Sequence, residues 1–90
     1  MSVEISLPPI LQAMAGDAKQ VSCRGNTISN CLNDLIEKYP QIRPKLFSRN
    51  GKLANGVNVF VNNVNVLPDK LSVAVRDGDK IYISFLVLGG

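Results

Sequence analysis

The chain has 90 residues, fewer than the ~100–150 of a common domain, which leaves room for one hydrophobic core and excludes a second domain. Its 46% hydrophobic and 19% charged residues exclude the composition of a disordered polypeptide. The net charge of +3 comes from lysines and arginines scattered from Lys19 to Lys80, and with no Trp, two Tyr and three Phe there is no basic stripe interleaved with aromatics, which argues against a nucleic-acid partner.

Met1 to Leu11 carries Glu4 and two prolines where an export signal would have a basic start and a long apolar run. No stretch approaches the ~20 apolar residues of a membrane span, so a cytoplasmic protein without membrane attachment is expected. In that compartment Cys23 and Cys31 should be thiols. With no His in the chain, a metal site would lack ligands, and none is expected.

Val3, Ile5 and Leu7 alternate with polar neighbours at the period of a half-buried strand, and Pro8-Pro9 ends it. After a loop containing Gly16-Asp17, Gln20 to Cys23 alternates again and stops at Gly25-Asn26, so the two runs are expected to pair as an antiparallel hairpin. Asn26 or Thr27 can cap a helix in which Ile28, Cys31, Leu32, Leu35, Ile36 and Tyr39 share one face before Pro40 closes it. From Gln41 to Gly56 the pattern is mixed: Arg43 to Phe47 can make a short helical turn, Leu46 or Phe47 can anchor the connection, and Asn50-Gly51 marks a turn.

Val57, Val59 and Val61 alternate in a third strand, Asn62-Asn63 turns the chain, and Asn65 to Leu67 makes a short partner. Asp77-Gly78-Asp79 then turns into Lys80 to Leu88, apolar at nearly every position, which reads as a central strand covered on both faces. The first and last strands are expected side by side and parallel. The resulting class is α+β, with a mixed sheet of four to five strands packed on one main helix and a flexible Gly-Gly tail, in one domain over residues 1–90.

No nucleophile with a neighbouring base and no glycine-rich phosphate loop is visible, so the chain is not expected to be an enzyme. Asp77 and Asp79 are explained by turn chemistry and Cys31 by its place on the apolar helix face; Cys23 is less clear-cut. The feature left over is Gly89-Gly90 directly after the long apolar strand. Without Cβ atoms these residues can thread a narrow channel and bring the Gly90 carboxylate to another protein's active site. An acyl adenylate would make that carboxylate an electrophile for sulfur. Ordering a tail costs ~1–2 kcal/mol per residue, so docking needs support from an apolar sheet patch, for which Phe60, Leu86 and Leu88 are the candidates.

The strand and helix order, Asp77-Gly78-Asp79-Lys80-Ile81 leading into the last strand, and Gly89-Gly90 together resemble the MoaD/ThiS family of ubiquitin-like sulfur carriers, whose fold is the β-grasp. The run Val57-Asn58-Val59-Phe60-Val61-Asn62 and the long connection after the helix are most similar to the CysO-type branch. The resemblance implies that Gly90 is adenylated and becomes a thiocarboxylate, with Gly89 and Leu88 as its tail neighbours and Phe60 and Leu86 as partner-binding positions. It also implies an adenylating enzyme of the ubiquitin-activating type using ATP and Mg²⁺, with no cofactor bound by the chain itself. A sulfur donor and an acceptor enzyme complete the set, the latter in the CysO branch a PLP-dependent cysteine synthase. The same first step would serve a modifier that is conjugated to lysines, and a small subunit of a molybdopterin-synthase-like complex would share the fold. The end product is left open between cysteine, molybdopterin and other sulfur-containing metabolites.

Overall fold

A computed structural model of the protein describes residues 2–85, apart from the side chain of Pro68. Five strands form one sheet: β1 (Ser2–Ser6), β2 (Gln20–Arg24), β3 (Val57–Val61), β4 (Val64–Val66) and β5 (Lys80–Phe85), in the order β2-β1-β5-β3-β4. β1 and β5 are parallel, in the register Ile5 opposite Ile81, and every other pairing is antiparallel. This is the expected mixed sheet with the last strand in its middle. The second half of that expectation needs correction: β5 is covered on one face only. Ile81 and Ile83 are fully buried, whereas Tyr82 between them is 49% exposed.

The main helix, α2 (Ile28–Lys38), lies over the inner face and buries Ile28, Cys31, Leu32, Leu35 and Ile36 against Val3, Ile5, Val59, Ile81 and Ile83. The Thr27 hydroxyl caps it, accepting from the Asn30 N–H at 3.1 Å. Two further N–H groups of its first turn, on Ile28 and Ser29, donate to the carbonyls of Val73 (3.1 Å) and Leu71 (2.8 Å) in the crossover that leads to β5. At the far end of the helix, the Asp34 carboxylate accepts from the Arg24 N–H (2.9 Å) and from Lys38 Nζ (2.9 Å), and Lys38 Nζ also donates to the Ser22 carbonyl (2.7 Å).

Three connections differ in detail from the sequence reading. The loop after β1 contains a short helix, α1 (Pro9–Gln12), followed by a 3₁₀ turn at Ala13–Ala15; proline at a first helical position starts helices as readily as proline inside ends strands. A 3₁₀ turn at Pro40–Ile42 runs into α3 (Arg43–Leu46), which fulfils the helical turn expected there and anchors it with buried Ile42 and Leu46. β4 begins one residue earlier than expected, at Val64, because Asn62 and Asn63 both adopt positive φ (50° and 71°) and close a two-residue turn.

Gly25 passes so close to α2 that a Cβ there would lie 2.8 Å from the Cys31 nitrogen and 2.9 Å from the Asn30 carbonyl carbon. Neither backbone atom can move away alone, so Gly25→Ala should lower the unfolding free energy by about 1–3 kcal/mol, read as a lower urea midpoint at unchanged m-value. Hydrogen bonds from Arg24 N–H and then Lys38 hold the Asp34 carboxyl below its usual value. A depressed folded-state value stabilises the fold above the unfolded pKa, and the contribution is lost as pH falls through the folded one. Asp34→Ala should therefore cost about 1 kcal/mol at pH 7, and the gap from the parent chain should shrink below about pH 4 in acid-dependent urea titrations.

Candidate functional site

Because β5 alternates, Tyr82 and Ser84 point away from the helix layer, and β3 places Phe60 opposite Tyr82 on the same outward face. Their rings lie 6.1 Å apart between centroids at 42°, within the range of favourable tilted aromatic pairs. Ser6 of β1 flanks Tyr82 on the other side. Phe60 therefore lies on the outward face of the sheet.

The parallel pairing carries the chain after β1 to the same end of the sheet as the end of β5. There Pro8, Pro9, Ile10, Tyr82, Ser84 and Phe85 line an open groove of about 390 Å³ with no charged side chain. Local bonds hold its wall: Leu11 N–H donates to the Pro8 carbonyl (2.9 Å), and Gln12 Nε2 donates to the Leu7 carbonyl (2.8 Å). Leu11 is fully buried and fastens α1 to the core, leaving Ile10 50% exposed toward solvent. Phe85, the last described residue, belongs to the groove, so the chain leaves the described structure at its edge. The other candidate positions, Leu86, Leu88, Gly89 and Gly90, lie outside the described residues.

Phe60, expected as a partner-binding position, lies on the outward face next to Tyr82 and not in the groove lining, whereas Tyr82, Ile10 and the proline pair, which line the groove, are not singled out by the sequence. Pro8-Pro9 reads as a strand stop and Tyr82 as one apolar position among many. An apolar residue directly after two prolines, off the period of the preceding strand, was the available signal for Ile10.

The remaining reactive types have structural work. Asp77 Oδ1 accepts from Ser2 N–H at 2.8 Å; Asp79 accepts from Arg76 N–H (2.8 Å) and Asn62 Nδ2 (3.1 Å), and the Arg76 bond foremost holds its carboxyl below the usual range. Gly78 between them takes φ 88°, which explains the glycine and supports the turn reading of both aspartates. Cys23 and Cys31 are unpaired and fully buried; burial pushes Cys23 up to about 11 and raises Cys31 as well. Burial disfavours the charged thiolate and closes both sulfurs off from solvent, so neither is placed to handle sulfur.

A family model described as the ThiS family matches residues 5–90. The sulfur carrier protein CysO of Mycobacterium tuberculosis is 38% identical over 93 residues, covering 100% of both chains. Among solved structures, a chain of the Amycolatopsis orientalis BexX/CysO complex superposes with a TM-score of 0.87 at 32% identity, covering 98% of this chain and 99% of its own. SAMP1 from Haloferax volcanii gives a TM-score of 0.87 at 26% identity, with both chains fully covered. These similarities agree with the β-grasp expected from the strand order.

Both thiols should resist Ellman's reagent in the native protein at pH 7.5 and react quickly in denaturant. Rapid labelling of the native chain would show that one of them is accessible after all.

Proposed function

The chain belongs to the ThiS family, and on that premise we propose that it is a sulfur carrier whose cargo is held at Gly90. The observation that carries this reading is the extent of the similarity: the family match runs to Gly90, and the identity to CysO covers both chains from end to end. The described geometry supports it. The outward groove ends at Phe85, five residues before Gly90, a stretch that reaches at most about 18 Å when extended. A partner seated on Tyr82, Phe60 and Ile10 would thus be near enough to receive the terminus.

The chemistry follows from the weakness of a carboxylate as an electrophile. In the activating enzyme, a Gly90 carboxylate oxygen attacks the α-phosphorus of ATP, pyrophosphate departs, and Mg²⁺ offsets the phosphate charge. Hydrosulfide then attacks the carbonyl carbon and AMP leaves, which yields the thiocarboxylate and a proton; a persulfide donor would instead give an acyl disulfide that a second thiol must cleave, the donor leaving as a disulfide. The catalytic groups sit on the partners, and ATP and Mg²⁺ bind there. This chain supplies a docking face and a terminus with no side chain to obstruct the channel, Gly89 and Leu88 forming its approach. We place Leu86 with Phe60 at the partner interface.

Partners therefore comprise a ubiquitin-activating-like adenylating enzyme, a sulfur donor and an acceptor. The 38% identity to CysO favours a PLP-dependent cysteine-forming acceptor. The cytoplasm is the proposed compartment, since both cysteines remain unpaired and among the described residues no helix is long and apolar enough to cross a membrane. The likeness to SAMP1, a small archaeal modifier protein, favours a second outcome for the same activated carboxylate: an isopeptide with a lysine.

Incubation with ATP, sulfide and the adenylating enzyme should raise the intact mass by about 16 Da, one oxygen replaced by sulfur, and deleting Gly90 should abolish the gain without altering the fold. Tyr82→Asp puts a charge in the apolar groove and should lower the activation kcat/KM by at least about tenfold at unchanged circular dichroism. An unchanged mass with an active partner would overturn the carrier reading; conjugates to lysines in cell extracts would establish the modifier.

A further inference from the structure

On the helix layer, away from the outward sheet face, a second cavity of about 460 Å³ opens between α2 and the segment after α3. Its volume falls in the ~300–1,000 Å³ range of small-molecule sites. Ser29 and Asn33, one turn apart on α2, form one side; Arg43 and Pro44 of α3, half-buried Phe47 and Arg49 form the other. None of the side chains of Ser29, Asn33, Arg43 and Arg49 makes a hydrogen bond or ion pair among the described residues.

The charge balance around it is one-sided. From Lys38 to Pro68 the chain carries five of its ten cations and no Asp or Glu. No carboxylate lines the cavity; Glu37 lines a neighbouring depression that shares Asn33 and Arg43. The donors come from side chains, because the first-turn N–H groups of Ile28 and Ser29 are spent on Val73 and Leu71. Arg49 is presented by a closed turn in which Ser48 N–H donates to the Lys52 carbonyl (2.7 Å) and Gly51 N–H to the Ser48 carbonyl (3.0 Å), with Gly51 at φ 82°.

We propose that this cavity binds a phosphate-bearing small molecule, with Arg43 and Arg49 as the charged clamp and Ser29 and Asn33 as neutral donors. Two guanidinium forks with a hydroxyl and an amide supply donors without a competing acceptor charge, which suits the several oxygens of a phosphate. Phe47 and Pro44 offer an apolar wall for the body of the ligand. The short span of the lining, one turn of α2 facing residues 43–51, favours a small molecule over an acidic peptide, which needs an extended groove. The site lies on the helix layer, opposite the outward face of Phe60 and Tyr82, and does not rest on the sulfur-carrier reading.

The test is a titration of the full chain with inorganic phosphate and with AMP, followed by ¹⁵N–¹H NMR at constant ionic strength held with chloride. Saturable shifts confined to residues 29–33 and 43–49 are expected, and Arg43→Gln and Arg49→Gln should each weaken binding at least about tenfold with resonances elsewhere unchanged. Lys45→Gln and Lys52→Gln, outside the cavity, should leave binding unchanged. Equal affinity for the two probes would identify the ligand as the bare oxyanion; tighter AMP binding would identify a phosphate ester with a ring against Phe47. The proposal is overturned by shifts that never saturate, by an equal loss in the lysine variants, or by a hexaglutamate peptide that binds more tightly than AMP.

Discussion

The parallel pairing of β1 with β5 is the constraint on which the rest of the structure depends. Parallel neighbours cannot be joined by a tight turn, so residues between them must travel around the sheet and return at the opposite end. That journey supplies α2 as the cover of the inner face and places β3 and β4 beyond β5. The junction is pinned where β5 begins: Ser2 N–H meets Asp77, Gly78 N–H meets the Ser2 carbonyl, and Glu4 N–H meets the Asp79 carbonyl. Two aspartates that resemble a catalytic pair in the sequence are the fastening of this joint.

The same pairing decides where the chemistry can happen. Parallel strands finish at the same end, so the end of β5 emerges beside Pro8-Pro9-Ile10, and the groove is assembled from two stretches more than seventy residues apart in the chain. Only one face of the sheet is occupied by the helix, and the other keeps Phe60 and Tyr82 for a visitor. A carrier has to be held by something other than its reacting terminus, since every ordered tail residue opposes binding. A fixed apolar face next to the exit of the last strand answers that need.

Much of this was legible because local patterns agreed with the global fold. Alternation in β1, β2 and β3, the one-sided stripe of α2 with its Thr27 cap, and the Asn62-Asn63 turn each had one physical reading. The last strand reads as doubly covered because Tyr82 counts as apolar in a pattern, while its ring can face water with one edge. The helix α1 is hidden because two prolines after a strand signal its stop as strongly as a helix start. The groove is not legible in any one segment: the meeting of Ile10 with Tyr82 and Phe85 depends on a register between distant segments, whereas the outward place of Phe60 follows from one strand. The paired arginines were hidden likewise. Cations that look evenly spread along the chain converge once α3 folds back on α2, and the long stretch without carboxylates was the mark they left in the sequence.

The Asp34 and Lys38 side chains occupy the outer rim of β2, on Arg24 N–H and the Ser22 carbonyl. An open sheet has two margins where another polypeptide could add a strand, and here one is plugged from within by a helix reaching over it while the other ends in the three-residue β4. A protein that must meet successive enzymes and be released by each has reason not to adhere to copies of itself. The small ion pair at the end of α2 thus does more than add stability: it occupies a donor and an acceptor on the β2 margin that an added strand would need.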